Sequence, residues 1–222
     1  MIDSKRALKE YLRADIANHR PAIDRWRFWY AMKYPVLAWQ RRLRRIEYLR
    51  NCRTGVMWRP YLAWANYRFL MHSVRLGVSI PPNVFGPGLA LAHWGNVMVN
   101  SKARIGANCR IHPGTCIGAN QGKAPVLGNN CYVGPGAKIY GGIELGDNVR
   151  VGANAVVNSS FPSDSLLVGV PAYQVDPARA SPNPWVKASP AQVSSEAASY
   201  IESLSLMPQL DDEQVLMAED KV

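Results

Sequence analysis

A chain of 222 residues, 48% hydrophobic, is long enough for one sizeable packed domain with attachments, and its net charge of +10 is concentrated in residues 1–75, with 17 Lys and Arg against 5 Asp and Glu. From Tyr48 to Gly142 no Asp or Glu occurs, which excludes chemistry built on a local pair of carboxylates. The four cysteines, Cys52, Cys109, Cys116 and Cys131, form neither a C-x-x-C pair nor a zinc spacing, so neither a disulfide framework nor a metal site is expected.

Residues 1–76 form the first region. The opening MIDSKRALKEYL lacks the apolar core of a signal peptide, and no apolar run reaches the roughly 20 residues of a membrane-spanning helix, so a cytoplasmic address is expected. Three stretches, ALKEYLRADIANH, RWRFWYAMKYPVLAWQRRLRRIEYLR and MWRPYLAWANYRFLMHSVRLG, are helical in period and rich in Trp, Tyr and Arg. They predict about three helices packed on whatever follows. Their basic aromatic surface reads as a helical cap, as a contact for the inner face of an anionic membrane, or as an attraction for an acidic glycan. No recognition motif accompanies the charge, so nucleic acid is not an expected partner. His19 and His72 lie in this Arg-rich helical sequence and read as solvated or packing residues.

Residues 77–174 follow another rule. From Ile105 an aliphatic residue recurs every sixth position, at Ile105, Ile111 and Ile117, then after a four-residue excess at Leu127, Val133, Ile139, Leu145, Val151 and Val157. Neither a period of 3.6 nor one of 2 produces this pattern with glycine usually next; a short strand and a tight turn per hexad does. Four places after each leading residue stands a small or apolar one: Cys109, Thr115, Cys131, Ala137, Ile143, Val149 and Ala155. Both positions are expected to point inward, making Cys109 and Cys131 reduced core residues. Upstream, Phe85 and Leu91 keep the spacing of six, but Leu91 to Val99 is eight, so the chain bulges around His93. Such excursions are where solenoids place function. Residues 175–222 form a polar tail rich in Pro, Ser and Ala, with a short helix expected near Ala191 to Leu206.

These hexads resemble the hexapeptide-repeat acyltransferases. The resemblance implies a mainly β fold, a left-handed parallel β-helix with an N-terminal α-helical region and a short C-terminal tail. Three hexads would make one triangular coil. Stacked so, His93, two after Leu91, and His112, one after Ile111, fall on the same face of adjacent coils about 4.8 Å apart. An imidazole near neutral pH is suited to remove the proton of an attacking hydroxyl.

Within the family, GPGLALAHWGNVMVNSKARIG is similar to the GxG…DHxxG…VIG segment of serine acetyltransferases, which implies His93 as the catalytic base. His112, on the adjacent coil, reads as a group that assists the base, binds the acceptor or packs against His93. Ala92 and Ser79 stand where that motif has acidic residues, and Lys123-Ala124-Pro125-Val126 replaces its Arg-His-Pro-Lys loop. A backbone carbonyl, Ser79, Asn96, Asp24 or Glu47 is left to orient His93. Those departures lead to the expectation of a capsular or exopolysaccharide type of enzyme, moving acetyl from acetyl-CoA to a sugar or glycan hydroxyl, with Ser79, Trp94 and Asn96 at the acceptor. The alternatives are an L-serine O-acetyltransferase and a silent β-helix scaffold. The resemblance also implies a homotrimer, with acetyl-CoA in a groove between subunits lined by Gly118, Ala119, Asn120, Pro135, Lys138, Arg150, Gly152 and Ala153.

Overall fold

The structure is a computed structural model that describes residues 1–19 and 26–175. Asp24, the tail beyond Val175 and the helix expected near Ala191 lie outside the described residues.

Four helices come first: α1 (Lys5–Ala17), α2 (Tyr30–Lys33), α3 (Pro35–Cys52) and α4 (Arg59–Leu76). The Ser4 hydroxyl caps α1 by accepting from the Ala7 N–H at 3.1 Å. The second stretch, read from sequence as continuous, breaks at Tyr34, whose backbone (φ −126°, ψ 70°) leaves the helical region because Pro35 follows. Proline then starts α3 at a position where its missing N–H costs nothing. Helix α4 stops on Gly77, which takes the left-handed conformation (φ 69°) and turns the chain into the solenoid. No described helix is long and apolar enough to cross a membrane.

From Val78 the chain winds through three sheets, turning about five times. The first sheet stacks β1 (Val78–Ser79), β3 (Val97–Val99), β6 (Cys116–Gly118), β9 (Lys138–Tyr140) and β12 (Val156–Val157). The second holds β4 (Arg104–Ile105), β7 (Val126–Leu127) and β10 (Glu144–Leu145). The third orders β2 (Ala90–Leu91), β5 (Arg110–Ile111), β8 (Tyr132–Val133), β11 (Arg150–Val151), β13 (Leu166–Val168) and β14 (Tyr173–Val175). Every pairing is parallel except the last, where β14 runs antiparallel to β13.

All nine leading residues of the hexads are buried, from Ile105 to Val157, and so are all seven small partners from Cys109 to Ala155. Burial pushes both interior thiols up, that of Cys131 to about 11, so neither serves as a nucleophile. One corner is held by a column of amides: Asn108 donates to Asn130, Asn130 to Asn148 (3.1 Å each) and Asn148 to Asp164 (2.8 Å). The three asparagines have φ of 57° to 59°, a conformation their short polar side chains tolerate.

A buried charge cluster clamps the helices to the first coil. Arg44 of α3, fully buried, pairs with Asp15 of α1 at 2.9 Å and with Glu47 at 3.0 Å, and donates to the carbonyls of Phe85 and Gly86. Asp15 accepts from the N–H groups of Gly88 and Leu89, and Glu47 from that of Asn83. These bonds offset the cost of burying three charges and fix where α3 meets the coil.

Candidate active site

The third sheet passes to the first at a corner that repeats in each coil. In the second coil the turn between β5 and β6 runs from His112 to Thr115; register pairs Met98 with Cys116 and Leu91 with Ile111, so the first coil spends residues 92–97 on the same corner. Those two additional residues present His93 and Trp94, both exposed, at the edge of the prism. Gly95 permits the excursion with φ 138°, a conformation open to glycine, and rests on Pro113. Three backbone bonds fix the loop: Gly95 N–H to Leu76 at 2.9 Å, Val97 N–H to Gly77 at 3.1 Å, and Gly114 N–H to the carbonyl of Asn96 at 2.6 Å. The histidine loop is therefore held between the end of α4 and the turn below it.

His112 sits in that lower turn, half-buried, with its ring 5.1 Å from Tyr132. Burial lowers its pKa, and Arg110 and the neighbouring His93 add to the effect, so the ring is neutral at pH 7. Its Nε2 is buried without a hydrogen-bond partner. Among the remaining candidates, Pro135, Gly152 and Ala153 occupy the same corner in successive coils, and Lys138 joins them by donating from Nζ to the carbonyl of Gly114. Gly118, Ala119 and Asn120 lie at the opposite edge of the first sheet, where Asn120 and Lys123 exchange backbone bonds of 2.8 and 3.0 Å to close the excursion. Arg150 faces outward from the third sheet, in register with Arg110, Tyr132 and Leu166. The structure thus gathers His93, Trp94, Asn96, His112, Pro135, Lys138, Gly152 and Ala153 on one edge, and sets the other five, Ser79, Gly118, Ala119, Asn120 and Arg150, elsewhere.

Of the groups considered for orienting His93, Glu47 is taken up by Arg44 and Asn83, and Ser79 lies in β1 beside Met98. Sequence reasoning missed Arg110, and it did not place His19, read as a solvated or packing residue, near it. His19, just past the end of α1, has its ring 5.3 Å from Tyr34 and its pKa lowered by burial and by Arg110. Arg110 occupies the position before a leading aliphatic, a column that runs Ala90, Arg110, Tyr132 and Arg150 and is buried only at Ala90; listing it would have found Arg110. The nearness of His19 had no such signal, because only the fold brings the end of α1 to Arg110. Among the described residues no group of three or more His, Cys, Asp and Glu could hold a metal ion.

Residues 124–159 match the model of bacterial transferase hexapeptide (six repeats). The chain is 41% identical over 111 residues to a serine acetyltransferase of Synechococcus elongatus, covering 47% of this chain and 46% of that one. It is 40% identical over 104 residues to that of Helicobacter pylori, covering 45% and 61%. The chain thus spans about half the length of the curated relatives it matches. Solved structures extend the likeness to the helices: Neisseria gonorrhoeae serine acetyltransferase superposes with a TM-score of 0.62 at 27% identity, covering 78% of this chain and 68% of that one. The soybean serine acetyltransferase apoenzyme gives 0.62 at 27%, and a serine acetyltransferase in complex with CoA gives 0.61 at 26%, each covering 77% and 70%.

These relatives correct the acceptor expected from the sequence. A sugar or glycan acceptor, with capsule or exopolysaccharide synthesis, was inferred from the neutral residues Ala92 and Ser79; the relatives found at 36–41% identity are serine acetyltransferases instead. Loss of two acidic side chains removes particular contacts and does not by itself name a new acceptor.

Proposed function

We propose that the chain is an acetyl-CoA-dependent O-acetyltransferase acting on L-serine, with His93 as the general base. The observation that carries this is the exposed imidazole on a corner loop lengthened by two residues, in a chain whose relatives are serine acetyltransferases. In the reaction His93 takes the hydroxyl proton as the serine oxygen bonds to the thioester carbonyl carbon. The carbon–sulfur bond then breaks, and the sulfur of CoA leaves with the proton returned from the imidazolium. His112, neutral beside His93, can accept a hydrogen bond.

The donor would lie along this edge, with Lys138 and the turns at Pro135, Gly152 and Ala153 as its first contacts. A homotrimer, in which a neighbouring subunit closes the groove with its own opposite edge, accommodates Gly118, Ala119 and Asn120 in the same site. A cytoplasmic location, where acetyl-CoA is available, belongs to the same reading.

The test is thiol release from acetyl-CoA by the purified chain, with and without L-serine. Serine-dependent release is expected, falling by about 100-fold or more in His93→Ala with unchanged circular dichroism. Release no faster with serine than without it, in the wild-type protein, overturns the reading.

A further inference from the structure

We infer that the outer face of α4 docks on an anionic lipid surface. A surface helix normally turns its apolar side inward. Helix α4 does this with Phe69, stacked on Trp39 at 5.4 Å, and with Ser73, which accepts from the Trp39 indole at 2.8 Å. Its other side is apolar too: Trp64 is 55% exposed, Tyr67 60%, Leu70 54% and Val74 67%, with Met71 between them. At 100° per residue these five fall together on the helix surface, with Arg59 on one flank and Arg68 and Arg75 on the other, all three exposed. Aromatic rings beside guanidinium groups around an aliphatic centre suit the boundary between lipid head groups and acyl chains.

Charge selects the lipid. Between Pro35 and Leu76 the sole acidic residue is Glu47, which is consumed by Arg44 and Asn83 in the interior. Arg42, Arg45, Arg68 and Arg75 therefore crowd the α3–α4 surface without an acidic neighbour on either helix; partial burial disfavours the charge on Arg42 most, and the other three arginines add to the effect. An anionic surface would relieve that repulsion. Leu70 and Val74 also rim a cavity of about 300 Å³, lined mainly by apolar groups including Phe69, Val78, Ile80 and Pro82, which gives an acyl chain or inserted head-group edge somewhere to go. Polyanions such as nucleic acid would match the arginines but leave the aliphatic centre unpartnered. This inference stands independently of the acyl-transfer reading.

The experiment is co-sedimentation of the full chain with vesicles of phosphatidylcholine alone or with about 30% phosphatidylglycerol, at low and high salt. Partition about tenfold stronger into the anionic vesicles, weakened by salt, is expected. It should be lost in Arg59→Glu/Arg68→Glu and, separately, in Trp64→Ser/Tyr67→Ser/Met71→Ser, both folded by circular dichroism. No sedimentation of the wild type overturns the inference, as does sedimentation of both variants undiminished from the wild type. It also falls if the serine variant abolishes self-association of a protein that ignores vesicles, since a second copy then covers the face, or if a short DNA duplex binds where vesicles do not.

Discussion

The N–H of Gly95 donates to the carbonyl of Leu76 at 2.9 Å, so the loop that carries His93 is tied to the last turn of α4. That bond satisfies a carbonyl which every helix leaves unpaired at its end. Gly77, next in the chain, needs φ 69°, and a Cβ there would stand 3.2 Å from the carbonyl carbon of Gly95. Gly77→Ala should therefore displace the histidine loop while costing only about 1 kcal/mol of stability. The expected outcome is a fall in kcat of tenfold or more for thiol release, with the melting temperature lowered by a few degrees; unchanged kcat would disconnect the helix end from the site.

Acid should destabilise the helices before the solenoid. His72 of α4 is half-buried, and burial, with Arg42 and Arg75 nearby, lowers its pKa from 6.5 to about 4. Between those values the unfolded chain binds a proton that the folded protein refuses. Stability is thus complete above pH 6.5 and erodes as pH falls toward 4. Melting temperature should drop from pH 7 to pH 5 in the wild type, and drop less in His72→Gln. Parallel pH profiles for the two proteins would show that His72 contributes nothing.

Removing one member of the buried charge cluster should be worse than removing it whole. Arg44→Met leaves Asp15 and Glu47 buried without their cation and should cost about 3–5 kcal/mol in urea unfolding. The triple change Asp15→Leu, Arg44→Met, Glu47→Leu should recover a large part of that loss. A single variant as stable as the wild type would mean that water or displaced side chains solvate the two carboxylates.

Glycines of the solenoid differ in what a side chain would strike. A Cβ on Gly106 would lie 2.6 Å from the backbone oxygen of Gly128 in the next coil, a contact that no rotamer relieves. At Gly118 the nearest atom is 3.8 Å away. Gly106→Ala should lower stability by several kcal/mol, because the coils must part to admit it, and Gly118→Ala by less than about 1 kcal/mol. Equal denaturation midpoints would contradict the stacking described.

The interior was legible because its period is a property of neighbours along the chain: Ile105, Ile111 and Ile117 identify one coil without reference to anything distant. The bulge at His93 was legible for the same reason, as a departure of two from a count of six. Tyr34–Pro35 was misread as mid-helix, since the helical period ran through it and the proline's effect on the preceding residue was given too little weight. Arg44, Asp15 and Glu47 could not be paired from sequence, because the pairing depends on how two helices pack. The acceptor was misjudged because Ala92 and Ser79 report which contacts are missing, and an absent contact is compatible with many substrates.

The amide column at Asn108, Asn130, Asn148 and Asp164 has one further consequence. Each storey passes a single hydrogen downward and receives one from above, so the terms of this exchange are identical at every level until an acid closes it. The column itself would therefore close in the same way with one storey more or one fewer between Asn108 and Asp164.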